Sequence, residues 1–204
     1  MRTLKKSIWS YMYKVTFALV SVILISITAL NIANEQSRAQ GTADKIFEQM
    51  DKMLEENQKE LTRLRQEYAA KCLHNTEAIA YILEKNTGAR NDLYELRKIA
   101  EFMEVDEIHI IDAAGEIVSG THPQYYGYSF DSGEQMNYFK PMLKDKSLTM
   151  CQDVTPNTAE GKKMMYAITW NEDGTKMLQV GIEPKRLLNE IKQNNISNVV
   201  AGMP

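Results

Sequence analysis

The residues of this chain that could take part in chemistry are aromatic and polar side chains gathered in its C-terminal half. An irregular, tyrosine-rich stretch at residues 122–130 joins two regions of strand-like alternation, and a short helical pattern follows it. If a small ligand binds, this loop and short helix should form one wall of the pocket and the central strands the other. The candidate ligand-binding residues are Tyr125, Tyr126, Tyr128, Tyr138, His109, Asp153, Thr169 and Trp170.

These candidates offer different kinds of contact. The tyrosines supply aromatic faces and hydroxyl groups, and Asp153 would favour a cationic group. His109 alternates with Ile108 and Ile110, so it is expected on the opposite side of its strand from them. The alternative stays open that the aromatic residues only fill the core and that the histidine is a packed, hydrogen-bonded residue.

The sequence contains no motif of an enzyme. The patterns GxSxG and HExxH, a Walker loop, a Rossmann fingerprint and a catalytic Cys/His/Asp spacing are all absent. Cys72 and His74 are two residues apart on a predicted helix and therefore point to different faces. The chain is not expected to be an enzyme.

Cysteine and histidine spacing gives no reason to expect a metal or another cofactor. Cys72 and Cys151 lie in no CxxC or Cys/His pattern that suits zinc, and His74, His109 and His122 have no ligand-spaced partner. Both cysteines are expected to be buried thiols. A single disulfide stays open if the body of the chain lies outside the cell.

Charge separates the two ends of the chain. Of 24 basic and 27 acidic side chains, residues 1–33 hold four basic ones and no acidic one, so the first segment carries +4 and the rest −7. Duplex binding depends on many cationic contacts to phosphates. An acidic body therefore argues against nucleic acid and favours small molecules or proteins as partners.

Residues 15–33 predict a transmembrane anchor. These nineteen residues carry no charge, which is enough to cross about 30 Å of hydrocarbon as a helix. Aromatic residues and cations precede them, so the positive-inside rule places residues 1–14 in the cytoplasm and the main domain outside the plasma membrane. A cleaved signal peptide fits less well, because the apolar run is long and the nearest small-x-small triplet, residues 37–39, is late and charged.

Helical periodicity continues over residues 34–104. Apolar residues recur every three or four positions to about residue 83, and Glu/Lys pairs four apart line the opposite face, so a long stalk helix is predicted. Thr87 and Gly88 predict its C-cap. Asp92 and Glu95 have capping-box spacing and predict the start of a second helix.

The period changes to that of strands between residues 105 and 183. A fold of class α+β is predicted, with a five-stranded antiparallel sheet flanked by helices. The tight turn Asp173-Gly174 joins the last two strands, and Ser132 with Gln135 predicts a capping box before the short helix. An exit helix is expected after Pro184. The predicted strands are 107–112, 116–121, 148–154, 163–170 and 176–182.

The order of these elements behind a membrane anchor resembles the Cache family, the PAS-like extracytoplasmic sensors of bacterial receptors. The stretches that carry the resemblance are EIHIIDAAGEIVSGTHPQYYGYSF, DSGEQMNYF and KMMYAITW…GTKMLQVGIEP, at 107–130, 131–139 and 163–184. The resemblance implies a small polar metabolite held between sheet and loop, and a homodimer through the stalk. It also implies a separate cytoplasmic output module, such as a histidine kinase or a diguanylate cyclase.

Two departures limit what the resemblance implies. The Arg-x-Trp-Tyr constellation of amino-acid-binding members is absent from the matching residues 125–130. At residues 184–204 an exit helix gives way to a continuation without a second span, so a fragment, such as the first half of a double-Cache region, is expected. The alternative function is a membrane-anchored dimerisation or partner-binding module without a small ligand.

Overall fold

The computed structural model of the chain describes residues 2–193, with the side chains of residues 9–192. The helices are α1 (Arg2–Lys85), α2 (Leu93–Phe102), α3 (Glu134–Asn137) and α4 (Lys185–Gln193). The strands are β1 (Glu107–Asp112), β2 (Ile117–Gly120), β3 (Thr149–Pro156), β4 (Lys163–Trp170) and β5 (Lys176–Ile182). The predicted α+β architecture is confirmed. The expected continuation at residues 194–204 and the side chains of Arg2, Lys5 and Lys6 lie outside the described residues.

The described chain divides into two compact units between residues 56 and 57. The first unit is the N-terminal part of α1, where apolar side chains such as Phe17 are 75% exposed. This part of the helix is long and apolar enough to cross a membrane by length and composition. Its hydroxyl groups donate to the carbonyl four residues earlier, which leaves them partnered without water. These groups belong to Thr16, Ser21, Ser26 and Thr28.

The second unit is built on a five-stranded antiparallel sheet in the order β2-β1-β5-β4-β3. Because side chains alternate along each strand, the sheet has two apolar faces. We define the helix face as the one covered by α1 and α2, and the loop face as the one covered by the chain between β2 and β3, together with residues 157–159 between β3 and β4. Each face packs its own cluster of buried residues.

The helix face is packed by residues spaced three or four apart on α1. Cys72, Ile79 and Leu83 lie on one stripe of the helix and are at most 4% exposed. They contact strand residues that include Ile108 and Val180, together with residues of α2. Near the other end of the sheet, a smaller cluster joins α1 to α4 through Leu64, Met165 and Leu187.

Turns and caps follow the local sequence in most places. The Asp92 carboxylate accepts the N–H groups of Tyr94 and Glu95 at 2.9 and 3.2 Å and caps α2. Gly174 has φ +62° in the turn between β4 and β5, which favours glycine. The predicted capping box before α3 is wrong, because the helix begins after Gly133 and the Ser132 hydroxyl accepts the N–H of Ser129 instead.

Candidate functional site

A pocket lies on the loop face, between the central strands and the segments that cover them. The strands contribute His109, Ile117, Tyr166 and Gln179 to its lining, and the covering segments contribute Tyr125, Tyr128, Gln135, Met136, Asn157, Thr158 and Ala159. The space between these atoms is about 270 Å³, including its open mouth. Only about 20 Å³ of this space admits the centre of a water molecule, which is room for about one water.

A buried carboxylate stands behind the pocket and organises two of its side chains. Glu107 lies two residues before His109 on β1, so both project from the loop face. Glu107 Oε2 lies 3.1 Å from His109 Nε2 and accepts a hydrogen bond of 2.7 Å from the Tyr166 hydroxyl. All three residues are at most 3% exposed.

Gly181 makes the Tyr166 contact possible. It pairs with Glu107 on one side and with Tyr166 on the other, and therefore lies between them in the sheet. A Cβ atom at Gly181 would lie 2.6 Å from Tyr166 Cε1 and 3.2 Å from Glu107 Cβ. Only a residue without a side chain lets the tyrosine ring cross β5 and reach the carboxylate.

The hydrogen bonds set the protonation of this group. Burial opposes ionisation of Glu107, but the hydrogen bond and charge of His109 and the Tyr166 hydroxyl outweigh it, so the pKa of Glu107 lies below its ordinary value. Burial and the adjacent carboxylate raise the pKa of Tyr166. At neutral pH Glu107 is therefore a carboxylate and accepts from both neighbours. Because a carboxylate oxygen only accepts, His109 Nε2 is the donor in its contact with Glu107.

Several residues of the pocket lining hold a polar atom without a hydrogen-bond partner. In the described part of the chain, five buried side-chain nitrogen or oxygen atoms have no hydrogen-bond partner, and four belong to residues of the pocket lining. Their residues are at most 5% exposed. A buried polar atom without a partner costs about 1–3 kcal/mol. The four atoms are His109 Nδ1, Gln135 Nε2, Asn157 Nδ2 and Gln179 Nε2.

The free end of Asn157 is fixed by its other contacts. Its Oδ1 accepts the backbone N–H groups of Glu160 at 2.8 Å and Lys162 at 3.3 Å. Two backbone donors require an oxygen at that position, so the unpaired atom is the NH₂ group. The Oε1 of Gln135 accepts from the Thr158 hydroxyl at 3.4 Å.

Aromatic rings close one side of the pocket. The rings of His109, His122 and Tyr125 form a nearly parallel cluster of three. The Tyr125 centroid lies 5.7 Å from that of His109 and 5.3 Å from that of His122, at interplanar angles of 13° and 11°, and the two histidine centroids are 6.3 Å apart. Tyr128 meets the Tyr125 ring edge-on at 6.2 Å. Burial, followed by the nearby Glu160 carboxylate, raises the pKa of Tyr125, and burial lowers the pKa of His122. Both groups are therefore uncharged at neutral pH.

The structure brings three of the sequence-predicted site residues together at this pocket: His109, Tyr125 and Tyr128. Their role in ligand binding stays a prediction. They come from β1 and from the loop after β2, as the sequence pattern led us to expect. The pocket also contains residues that the sequence analysis missed: Tyr166, Gln179, Gln135 and Asn157, with Glu107 behind them.

The other five candidates lie outside the lining of this pocket, and each has a contact of its own. The Tyr126 hydroxyl bonds to the N–H and carbonyl of Gly120, and the Tyr138 hydroxyl donates to the Cys151 carbonyl. Asp153 is exposed and pairs with Arg65 at 3.6 Å. The remaining two are Thr169, whose hydroxyl meets that of Thr149, and Trp170, whose indole N–H donates to the Met142 carbonyl.

Strand register explains why the missed residues are close together. Gln179 lies directly opposite His109 in the pairing of β5 with β1. It is also a single polar residue between Leu178 and Val180, which is the same pattern that drew attention to His109. That alternation could have identified Gln179. Nothing in the local sequence separates Gln135 or Asn157 from ordinary surface amides.

Both cysteines are thiols in the structure. Cys72 is fully buried on the helix face, with its Sγ 3.5 Å from the Val180 carbonyl. Cys151 is partly buried and packs against the same cluster. Within residues 9–192, no group of three His, Cys, Asp or Glu side chains is arranged to hold a metal ion.

No protein-family model matches the chain, and no curated protein matches it. Solved structures do. The sensor domain of the Vibrio cholerae histidine kinase DctB is 16% identical, with a TM-score of 0.50 over 73% of this chain and 62% of that one. The Escherichia coli DcuS sensor domain is 16% identical, with a TM-score of 0.46 over 64% of this chain and 98% of that one.

A third similar structure is an extracellular ligand-binding receptor from Desulfohalobium retbaense, at 21% identity and a TM-score of 0.47. The match covers 66% of this chain, which spans only 27% of that receptor. At these identities the comparisons concern the fold alone. The chain has the fold of bacterial receptor sensor domains, in agreement with the resemblance to the Cache family.

Proposed function

We propose that the chain is the extracytoplasmic, small-molecule-sensing portion of a membrane-anchored bacterial signal transduction receptor. The observation that carries the proposal is that four of the residues lining one pocket of the loop face each hold a buried polar atom without a hydrogen-bond partner. Native proteins leave few buried polar groups unpaired, and such a cluster needs an explanation. A polar ligand that bonds to these atoms supplies one, and the sensor-domain fold supports it.

The proposed anchor is the apolar segment of α1. Its exposed apolar surface suits lipid, and its hydroxyl groups are bonded within the helix. Basic residues precede the segment, which favours a cytoplasmic N-terminus and an extracytoplasmic sensor in the plasma membrane. The output domain, such as a histidine kinase or a diguanylate cyclase, belongs to another segment in this proposal.

The two faces of the sheet provide a route from ligand to helix. His109 and Gln179 meet the pocket, whereas their strand neighbours Ile108 and Val180 pack on the helix face among residues of α1 and α2. A ligand that displaces β1 or β5 must therefore also repack the helix face, because a close-packed core does not deform continuously. We infer that ligand binding shifts the stalk helix, and that α1 also forms the homodimer.

Thermal shift measurements on the full-length chain in detergent micelles test ligand binding. The panel contains amino acids, carboxylates, amines, purines, pyrimidines and sugars. Each compound is added at a concentration well above a millimolar dissociation constant. The variant Ala159→Trp tests the site, because Ala159 lines the pocket yet is exposed, so a large side chain fills the mouth without overpacking the core. Ala113→Trp, at the exposed turn between β1 and β2, is the matched control.

A ligand present at a hundredfold excess over its dissociation constant stabilises the folded chain by about 2.7 kcal/mol. The proposal expects such a compound to raise the melting temperature of the unmodified chain and of Ala113→Trp, but not that of Ala159→Trp. A ligand that stabilises all three equally binds elsewhere and contradicts the proposed site. No shift from any compound, with a cooperative melting transition, contradicts the sensing function.

A second candidate function is binding of a protein partner without a small ligand. The observation in its favour is an apolar groove at the C-terminal end of α2, lined in part by Ile82, Ile99 and Met103, beside Phe102, which is 86% exposed. Chemical crosslinking that captures one partner, lost in Phe102→Ser and unaffected by the metabolite panel, would favour this function over sensing.

A further inference from the structure

Two cysteines from distant parts of the chain meet on the helix face of the sheet. Cys151 on the edge strand β3 lies opposite Ala167 on β4, and Ala167 lies opposite Val180 on β5. Residues that face each other in antiparallel strands project from the same side of the sheet, and all three pack in the cluster that α1 covers. From α1, Cys72 Sγ lies 3.5 Å from the Val180 carbonyl oxygen and 3.8 Å from that of Met165. The Cys72 sulfur therefore lies over the row of strand residues that ends at Cys151.

The two thiols are in contact with each other. The hydrogen bond with Cys151, followed by burial, raises the pKa of Cys72, whereas the hydrogen bond with Cys72 outweighs burial and lowers the pKa of Cys151. The opposite directions mean that Cys72 keeps its proton and donates, while Cys151 accepts as the thiolate. Cys72 is fully buried and Cys151 only partly buried. Cys151 is therefore the thiol that an external reagent reaches first, and Cys72 lies next to it.

We infer that Cys72 and Cys151 are a redox pair, which a disulfide compound oxidises to an intramolecular disulfide between α1 and β3. The Cys151 thiolate attacks one sulfur of the compound and displaces its other half as a thiolate, which takes up the proton that Cys151 lost. Cys72 then gives its proton to water and attacks the Cys151 sulfur, and the second half of the compound leaves as a thiolate that takes up this proton. The chain loses two protons and two electrons, and the compound is reduced to two thiols.

The disulfide would hold the stalk helix to the sheet. Cys72 lies on the same stripe of α1 as Ile79 and Leu83, whose contacts with the sheet are apolar and noncovalent. On the other side of the bond, the Cys151 carbonyl accepts from the Tyr138 hydroxyl, which belongs to the chain between β2 and β3. Oxidation therefore opposes movement of α1 over the sheet. The inference goes beyond the proposed sensing function and uses only its extracytoplasmic location, where disulfides persist.

Equilibration of the full-length chain in detergent micelles with oxidised or reduced glutathione tests the pair. In oxidised glutathione we expect the intact mass to fall by two hydrogen atoms and the tryptic peptides that contain Cys72 and Cys151 to be linked. The chain should still migrate as a monomer on a non-reducing denaturing gel. Because the bond closes a long loop, from residue 72 to residue 151, it restricts the unfolded chain. The oxidised chain should therefore melt about 5–15 °C higher than the reduced one.

Single-cysteine variants test the order of the two steps. Cys72→Ala should stop after the first step, with one glutathione bound at Cys151, and Cys151→Ala should gain no glutathione while it is folded, because Cys72 is buried. The matched control is Thr149→Cys in the Cys151→Ala chain. Thr149 is exposed on the same strand and the same side of the sheet, two residues from Cys151, so its cysteine should take up glutathione without a bond to Cys72. A cooperative melting transition shows that each variant is folded.

The inference is overturned if the folded chain keeps its mass in oxidised glutathione, or if it stops at one bound glutathione. A disulfide that forms only in urea, or one that lowers the melting temperature, also overturns it, because the two sulfurs then do not meet in the folded chain. Equal bonding of Cys72 to the cysteine of Thr149→Cys would show that position 151 has no special place. None of these results concerns the loop-face pocket, so the thermal shift panel tests the sensing function separately.

Discussion

Replacement of Tyr166 by phenylalanine is the sharpest test of the buried carboxylate group. The change removes one hydroxyl and leaves the ring, so packing against the loop face is kept. The Glu107 carboxylate loses a hydrogen bond of 2.7 Å in a site where it is 3% exposed. Hydrogen bonds to charged groups contribute about 1.5–3 kcal/mol. We expect the free energy of unfolding to fall by about 2 kcal/mol at pH 7.

The pH dependence gives the same test a second readout. Because the folded-state pKa of Glu107 lies below its ordinary value of 4.5, its bonds contribute stability that is fully present above pH 4.5. That stability is lost as the pH falls through the folded-state pKa. The difference between the unmodified chain and Tyr166→Phe should therefore be largest near neutrality and should shrink below pH 4.5.

The assay is urea unfolding in detergent micelles, followed by tryptophan fluorescence in a Trp9→Phe background. Trp170, buried on the loop face, then reports the fold. Tyr138→Phe is the matched control, because its hydroxyl donates to a carbonyl at 3.0 Å from a residue that is 44% exposed, and it should cost less than about 1 kcal/mol. Equal losses in the two variants, or a Tyr166→Phe loss that is constant from pH 7 to pH 3.5, would refute the reasoning.

Three further predictions concern other contacts. Gly181→Ala should lower the free energy of unfolding by about 1–3 kcal/mol, because the new Cβ atom overpacks the sheet against Tyr166. Gly41→Ala should raise it by about 0.5–1 kcal/mol, because Gly41 lies in a helix with open space around it. Urea unfolding measures both changes. Asp92→Ala should cost about 1 kcal/mol through the lost cap of α2 and Asp92→Asn much less, and equal costs would contradict the capping role. Cys72 should resist a thiol reagent in the folded chain, because it is fully buried and because the adjacent Cys151 thiol and burial raise its pKa. Two rapidly reacting thiols would contradict this.

Local patterns predicted the elements of the fold that local chemistry determines. The first and last residues of β4 and of β5 are the ones predicted, because the alternation of apolar and polar residues is regular there and Asp173-Gly174 favours the turn between the two strands. The Asp92 cap of α2 could also be predicted from the sequence, since one carboxylate accepts two N–H groups of the helix that begins after it. Ser132 was misread, because a hydroxyl has several local backbone donors within reach, and only the three-dimensional path of the loop selects among them.

Only part of the site could be predicted from the sequence, because the site depends on contacts between residues that are far apart in the chain. His109 could be identified from alternation on its own strand. Glu107 could not, because its burial depends on Tyr166, which is 59 positions away and reaches it only across a glycine. Asn157 depends on the local path of the hairpin between β3 and β4, which orients its side chain and leaves one NH₂ group unpaired.

The central claim is that the unpaired polar atoms of the loop-face pocket bind a ligand. A crystal structure of the full-length chain, grown with the compound that gives the largest thermal shift, tests it most directly. We expect density for that compound between the aromatic rings and the sheet, within hydrogen-bonding distance of Asn157 Nδ2 and Gln179 Nε2. A pocket that holds only ordered water, with the compound bound at another surface, would contradict it.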